Sequence, residues 1–430
     1  HYQVPDDMVL DANGNTWTIE PSIDLNNAMD YVDTLMVRKG TWQAGTNTHT
    51  YMDMPVELAA SADATGNKQL ANSSVAFGMN GNIGYVSALS HIDYNTEPDS
   101  VLTIVTRKTT DGGTTWGAPI QVDISTIADP FLLSDPNGSY TAGFELKTQV
   151  DANGNLHVVC AIGPDADGFS IGTEAGTWGI FDIYTTDGGT TWTGFLLAQP
   201  QQFRGFWDTA GSDLSEDSRP QVTTTTDRTK MFFSWLDTDS LIFGTFDGNA
   251  FPDLWVRGFD VNTGMSTAAT NFTTGTAADG QVSYGVASKY AFVPQAGTYR
   301  VPYCYMVNDP ISPSTDMKPF NYLNEVDFTD ADFNIPVGIN AIEGDYGTVS
   351  VLYPNPLSGV GTYDLDLTAK QDVLVTVTNI YGQVISRNDL GTLIPGSHRF
   401  TLDVNNWSNG IYLLNINIGG QDLTQRFVVN

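Results

Sequence analysis

Thr109-Thr110-Asp111-Gly112-Gly113-Thr114-Thr115-Trp116 returns as Thr185-Thr186-Asp187-Gly188-Gly189-Thr190-Thr191-Trp192. Two copies of one octapeptide mark a repeat, and a second marker precedes each copy. Asp11-Ala12-Asn13-Gly14-Asn15-Thr16-Trp17 recurs as Asp151-Ala152-Asn153-Gly154-Asn155-Leu156-His157, with Met79-Asn80-Gly81-Asn82-Ile83 between them. Weaker copies follow at Thr226-Asp227-Arg228-Thr229-Lys230-Met231 and Gln295-Ala296-Gly297-Thr298-Tyr299-Arg300. Positions 14, 81, 154, 228 and 297 lie 67, 73, 74 and 69 residues apart. Apolar runs such as Ile83-Gly84-Tyr85-Val86 and Met231-Phe232-Phe233-Ser234-Trp235 adjoin these turns. Asn-Gly between two such runs signals a hairpin, because both residues tolerate positive φ.

The octapeptide glycines Gly113 and Gly189 fall 32 and 35 residues after their hairpins. Lys39-Gly40-Thr41-Trp42, Asp260-Val261-Asn262-Thr263-Gly264 and Asp327-Phe328-Thr329-Asp330 take the same place in the other repeats. Two hairpins per repeat predict four strands, so residues 1–338 are expected to form an all-β propeller of five four-stranded blades of about 70 residues each. The octapeptide resembles the Asp-box of sialidase-type (BNR-repeat) propellers, where it is a turn between the third and fourth strands, away from the ligand face. The resemblance therefore gives Asp111, Gly113 and Trp116, and Asp187, Gly189 and Trp192, structural roles. The carboxylate accepts turn N–H groups, glycine supplies positive φ and Trp packs into the blade.

The C-terminal stretch has a different pattern. Tyr353-Pro354-Asn355-Pro356 is followed by Val373-Leu374-Val375-Thr376-Val377, then Tyr381-Gly382-Gln383-Val384 and Pro395-Gly396-Ser397-His398. Asn409-Gly410-Ile411-Tyr412 then leads into the alternating Leu413-Leu414-Asn415-Ile416-Asn417-Ile418. Strands of period two between Gly, Pro and Asn turns predict a small sandwich of seven or eight strands. The order of motifs resembles the type A C-terminal sorting domain of the Bacteroidetes type IX secretion system. Arg426-Phe427-Val428-Val429 stands where that family has a Lys before its last hydrophobic pair. The resemblance implies that residues 348–430 form an Ig-like β-sandwich carrying a sorting signal at Pro354, Asn355, Pro356, Gly382, Gly410, Tyr412, Arg426, Phe427, Val428 and Val429. It further implies recognition by an outer-membrane translocon and its β-barrel shuttle, then cleavage or exchange for a lipopolysaccharide-type anchor. The last strand, Asp422 to Val429, is expected to pair by edge addition. Residues 339–347, rich in strand breakers, read as a linker. The chain opens at His1 without Met or a basic-then-apolar leader, which a removed signal peptide accounts for, as does a start chosen within a longer sequence. The expectation is a cell-surface or secreted protein, caught in transit at the outer membrane with its sorting domain retained.

Composition narrows the partners. Lys and Arg total 18 against 49 Asp and Glu, a net charge of −31. Nucleic acid and anionic membrane surfaces both need a basic footprint and are excluded as partners. Acidic loops are suited to calcium, the one cofactor considered. No apolar run approaches the roughly 20 residues that span a bilayer. Cys160 and Cys304 sit in strand-like runs and read as two buried free thiols, with a disulfide left open.

In a four-stranded blade the two tight turns share one face, so the remaining loops emerge on the other. Those at 118–141, 193–219 and 267–283 are long, and that face is the expected binding surface. The richest loop runs Phe203-Arg204-Gly205-Phe206-Trp207-Asp208 and Asp213-Leu214-Ser215-Glu216-Asp217-Ser218-Arg219-Pro220. Phe206, Trp207, Asp208, Asp217 and Arg219 are candidate ligand contacts, since aromatics beside carboxylates and Arg suit sugar stacking with hydroxyl hydrogen bonds. The same acidic run could hold calcium, or the aromatics could only pack the loop onto the propeller. Arg219 is expected to face the central channel or a neighbouring carboxylate. Asp135, Glu145, Asp208 and Glu216 are candidate carboxylates for a propeller glycosidase with separate acid and base. The sialidase pattern is incomplete, because the nearest Arg-Ile-Pro-like string, Tyr299-Arg300-Val301-Pro302, falls in the fifth repeat. Two function classes follow: a non-catalytic binding or adhesion module for a glycan or surface protein, and a glycan-active hydrolase.

Overall fold

The computed structural model describes all residues except 1–6, 12, 25–29, 59–69, 92–100, 128, 130–131, 133–138, 166–170, 173–176, 203, 207–214, 239–248, 308–316, 337–341, 345, 351, 353–356, 358, 380–381, 409 and 430. The chain is all-β apart from short 3-10 turns at Ile124–Thr126 and Asp330–Asp332. It divides into two compact units, His1–Ile335 and Pro336–Asn430.

The first unit is a series of small antiparallel sheets, the first three each made of four strands consecutive in sequence. The first holds β1 (Asp7–Leu10), β2 (Thr16–Asp24), β3 (Asp30–Gln43) and β4 (Thr48–Glu57). The second holds β5 (Leu70–Phe77), β6 (Gly84–Ser90), β7 (Thr103–Thr109) and β8 (Ile120–Gln121). The third holds β9 (Tyr140–Val150), β10 (Leu156–Pro164), β11 (Gly179–Thr185) and β12 (Thr193–Ala198). A hairpin of β13 (Arg204–Phe206) and β14 (Ser215–Asp217) precedes the fourth sheet. That sheet holds β15 (Gln221–Thr224), β16 (Lys230–Thr238), β17 (Pro252–Asp260), β18 (Met265–Ser266) and β19 (Thr270–Asn271). The fifth repeat contains β20 (Ser283–Ala287), β21 (Phe292–Gln295), β22 (Thr298–Arg300), β23 (Tyr303–Met306), β24 (Phe320–Leu323) and β25 (Asp327–Thr329).

The first four hairpins lie between the first two strands of their repeats, and the fifth, at Gly297, joins β21 to β22 after β20. Local chemistry explains their regularity. Asp11 Oδ1 accepts the amides of Asn13 and Asn15 at 2.8 and 3.0 Å, and Asp151 Oδ1 does the same for Asn153 and Asn155 at 2.8 Å each. Each octapeptide spans the turn between the third and fourth strands. Asp111 Oδ1 accepts from the Thr115 amide at 2.8 Å and Asp187 Oδ1 from Thr191 at 2.9 Å. Gly113 and Gly189 turn with φ of +81° and +104°. Trp116 and Trp192 pack against the cores of the second and third sheets.

The five first strands follow one another in space. β1 packs beside β5, β5 beside β9, β9 beside β15, and β15 beside β20. The return to β1 is polar: Lys289 pairs with Asp7 at 2.8 Å, and Tyr290 Oη donates to the Leu10 carbonyl at 2.6 Å. Arg228, only 2 % exposed, caps this arrangement at the hairpin end. Its guanidinium donates to the carbonyls of Phe77, Val150 (3.0 Å) and Leu10 (3.5 Å), the last residues of β5, β9 and β1.

Apolar cores join the first sheet to the second, the second to the third, and the fourth to the fifth. Between the third and fourth sheets, Phe259 meets Phe195 and His157 with ring centroids 6.3 and 5.9 Å apart. No comparable core joins the fifth sheet to the first among the described residues. The expectation of about five four-stranded blades is met by the first three repeats, each a four-stranded sheet, and not by the fifth. The open face of the first sheet carries Thr16, Thr18, Glu20, Arg38 and Asp53, which do not exclude water. The fifth repeat forms two three-stranded sheets, β20–β23–β24 and β21–β22–β25, with no fourth strand among the described residues. After β25 the Thr329–Asp332 capping box closes a 3-10 turn where the other repeats turn back into a strand.

Three smaller corrections follow. Lys39-Gly40-Thr41-Trp42 lies inside β3, and its turn is at 44–47, where Asn47 takes φ +58°. Thr193–Ala198, expected as loop, is β12, with Phe195 and Leu197 buried. Both cysteines are free, but only Cys160 is buried, because Cys304 lies on the uncovered face of the fifth sheet beside Val286 and Tyr322.

After β26 (Ile335–Pro336), the second unit comprises two four-stranded sheets. One holds β27 (Ile342–Gly344), β28 (Gly347–Val349), β29 (Val360–Leu367) and β32 (Gly396–Asp403). The other has the order β31 (Val384–Leu393), β30 (Gln371–Asn379), β33 (Gly410–Ile418) and β34 (Gln421–Val429). Their inner faces share one core that includes Leu365, Val375, Leu414 and Phe427. Part of the expected linker 339–347 is therefore structured. Ile342–Gly344 pairs with Gly347–Val349, and Tyr346 packs against that core.

Candidate functional site

Counting back nine residues from the repeat positions 81, 154 and 228 gives Asn72, Glu145 and Arg219. Asn72 sits near the start of β5, Glu145 in the middle of β9 and Arg219 just before β15, each away from the hairpin end that Arg228 caps. Each departs from regular strand geometry. Asn72 has φ +39° at a register shift in β5, and Arg219 has φ +44° just before β15. Glu145 lies in the β9 stretch where the register against β10 slips between Cys160 and Ile162. In β20, Tyr284 has φ +46° at a similar shift against β23. Bulges and positive φ at non-glycine residues re-aim side chains and cluster at functional sites. Here they recur in or beside four successive first strands, β5, β9, β15 and β20.

The four residues interlock. Asn72 Oδ1 accepts from the Leu146 amide at 3.2 Å. The Glu145 carboxylate accepts from the Arg219 backbone amide. The Arg219 guanidinium stacks over the Tyr284 ring at 4.6 Å. Gln221 in β15 bridges to β20 by donating to the Gly285 carbonyl at 2.9 Å and accepting from the Ala287 amide at 2.9 Å. Burial pushes the Glu145 carboxyl above its usual range, opposed by Arg219 and reinforced by Asp217. Its Oε2 atom is buried without a hydrogen-bond partner among the described residues. A buried carboxyl with a raised pKa, beside an Arg and a second carboxylate, has the acid–base character that binding and catalytic sites use.

Of the residues singled out from sequence, Glu145, Asp217 and Arg219 gather here. Phe206 and Glu216 lie on the β13–β14 hairpin, whose second strand ends at Asp217, two residues before Arg219. Asp135, Trp207 and Asp208 fall outside the described residues. So does Asp213 of the acidic run considered for calcium, and among the described residues no group of three metal-ligating side chains gathers. Asn72 and Tyr284 were not anticipated. The constant offset of nine residues was the available signal for Asn72, whereas Tyr284 lies thirteen before Gly297 and has none.

In the second unit, Gly382 turns at φ +77° between β30 and β31, and Gly410 opens β33. Tyr412 donates to the Ser408 carbonyl at 2.7 Å and stacks on Phe427 at 5.7 Å. Phe427 and Val429 are buried, and β34 is an edge strand with Arg426 and Val428 at alternate positions. Pro354, Asn355 and Pro356 lie outside the described residues.

Residues 351–430 match the secretion system C-terminal sorting domain family. The match covers 80 of 430 residues and supports a type IX secretion sorting signal, and with it export across the outer membrane to the surface or extracellular space. Among the described residues no helix is long and apolar enough to cross a membrane. The chain matches no curated protein. Among solved structures it is similar to PorZ, an essential surface component of the type-IX secretion system of Porphyromonas gingivalis, at 12 % identity and TM-score 0.31, covering 100 % of this chain and 45 % of that one. It is similar to the Hadza microbial sialidase Hz136 at 13 % identity and TM-score 0.37, covering 84 % and 63 %. A family-43 arabinoxylan arabinofuranohydrolase from Bacillus subtilis is 12 % identical with TM-score 0.38, covering 99 % and 96 %. The chain thus spans less than two thirds of the length of the first two, and likeness at this level assigns no activity.

Proposed function

We propose that this chain is type IX cargo whose second unit is the address and whose first unit is a non-catalytic binding module of propeller type. The address reading rests on the family match over residues 351–430, in a compact unit with its own core. Recognition by the translocon and its β-barrel shuttle belongs to this proposal. A reporter fused to residues 336–430 tests it in a type IX-competent host: the reporter reaches the surface or medium, and retention in the periplasm refutes it.

The observation that carries the binding reading is the convergence of Asn72, Glu145, Arg219 and Tyr284 from four sheets. Such a mouth presents a cation, an aromatic ring and a buried carboxyl to one ligand. A glycan or a surface-protein segment suits these groups, and calcium remains a proposed accessory of the acidic hairpin loop. Ring closure is proposed to run through Arg228 and the Lys289–Asp7 pair instead of through an apolar seam.

One observation favours a hydrolase as second reading: the raised Glu145 carboxyl beside Asp217 has the character of a general acid. Incubating the full chain with a glycan panel separates the two. Binding without product release, weakened by Arg219→Met, supports the module. Product formation abolished by Glu145→Gln supports the hydrolase and overturns the first reading.

A further inference from the structure

The open face of the first sheet holds a groove remote from the mouth residues in sequence and sheet. Its volume is about 510 Å3, within the range of small-molecule sites, and it is lined by Thr16, Thr18, Glu20, Arg38, Tyr51 and Asp53. Strand register explains why these residues meet. Thr16 faces Gly40, which faces Tyr51; Thr18 faces Arg38, which faces Asp53. Gly40 shapes the groove, since a Cβ there would collide with Thr16 Oγ1 and come within 2.9 Å of the Tyr51 ring. The Tyr51 ring therefore lies across bare backbone, with the residue 66 % exposed. It forms an aromatic platform that His49 and Trp42 extend along β4 and β3 with ring centroids 6.1 and 5.0 Å apart.

Beside the platform is a fixed polar wall. Arg38 Nε and Nη2 donate to the two Asp53 oxygens at 2.6 and 3.3 Å, and Nη1 lies 3.5 Å from Glu20 Oε1. Glu20 is only 5 % exposed, so the guanidinium is anchored from beneath while Asp53 faces solvent. The Arg38 hydrogen bond holds the Asp53 carboxyl below its usual range, so it is an acceptor at any physiological pH. A rigid aromatic face next to an Arg–carboxylate pair and two threonine hydroxyls matches a ring apolar on one side and hydroxylated at its rim. Two carboxylates against one Arg, on a chain of net charge −31, disfavour anionic sugars.

We propose that this groove is a second binding site, for neutral saccharides, in which a pyranose stacks on Tyr51 and its hydroxyls bond to Asp53 and Arg38. The proposal is independent of the mouth reading. Calorimetry on the full chain with neutral hexasaccharides of β-1,4-glucose, β-1,3-glucose, β-1,4-xylose and β-1,4-mannose tests it. At least one is expected to bind, with little change across the salt range that screens ionic contacts. Tyr51→Ala is expected to weaken binding by about tenfold or more and Tyr51→Trp to preserve it, while Arg38→Met weakens it. Tyr51 is exposed, so its substitution leaves the fold intact, which circular dichroism checks. The proposal is overturned if none of the four binds at millimolar concentration or if Tyr51→Ala binds unchanged. It is equally overturned if Tyr51→Ala dissolves a dimer of this chain, because the face would then belong to a second copy.

Discussion

His157 is 2 % exposed between two carboxylates, with Nδ1 2.7 Å from Asp182 Oδ2 and Nε2 3.7 Å from Asp151 Oδ2. Burial alone would drive the imidazole toward neutrality. The two carboxylates reverse that and raise its pKa from 6.5 to about 9. A folded value above the unfolded one stabilises the fold fully below pH 6.5, and that stabilisation is lost as pH rises through about 9. The rise is about 2.5 pH units, worth about 3 kcal/mol at ~1.4 kcal/mol per unit. Asp182→Asn keeps the shape and an acceptor for Nδ1–H but removes the nearer charge, so burial should again dominate and the imidazole become neutral. Denaturant unfolding of the full chain between pH 6 and 9.5 is the assay, with NMR titration of its five histidines. The expected result is a wild-type loss of about 3 kcal/mol over this window that Asp182→Asn lacks. A His157 titration at or below 6.5, or equal slopes for both proteins, refutes the reasoning.

Other substitutions test the frame. Arg228→Met leaves the Phe77 and Val150 carbonyls without this donor and should cost about 3–5 kcal/mol in urea unfolding, with Arg228→Lys recovering part. Asp187→Ala removes the acceptor that closes its turn and should lower the urea midpoint without changing ligand binding. Phe427→Ala opens a cavity in the core of the second unit and should cost about 3–5 kcal/mol, read as a lowered midpoint for that unit alone.

How far the sequence disclosed the fold depended on whether a feature was local. The hairpin at Asp151 and the turn at Asp187 were legible because one carboxylate within four residues of its donors dictates each turn. The missing fourth strand of the fifth repeat was less so, since Asp327-Phe328-Thr329-Asp330 carries the polar signal of a turn but Thr329 and Asp332 cap a 3-10 turn instead. The lack of an apolar seam between the fifth and first sheets, among the described residues, was illegible for a different reason. It depends on whether the face of Thr18 and Arg38 meets an apolar partner, a tertiary fact that strand periodicity does not encode. At the mouth, Arg219 and Glu145 announced themselves by residue type. Asn72 and Tyr284 did not, because their positive φ arises from register shifts against β6 and β23. Tyr346 and Ile342–Gly344 read as linker because a three-residue strand between glycines has too little pattern to register.

The claim on which the account rests is that the second unit is an address separable from its cargo. Deleting residues 336–430 in a type IX-competent host and measuring the periplasmic and extracellular fractions of the first unit tests it most directly. The account predicts a folded first unit, with its His157 titration intact, retained in the periplasm. Normal appearance of the truncated chain outside the cell would contradict it.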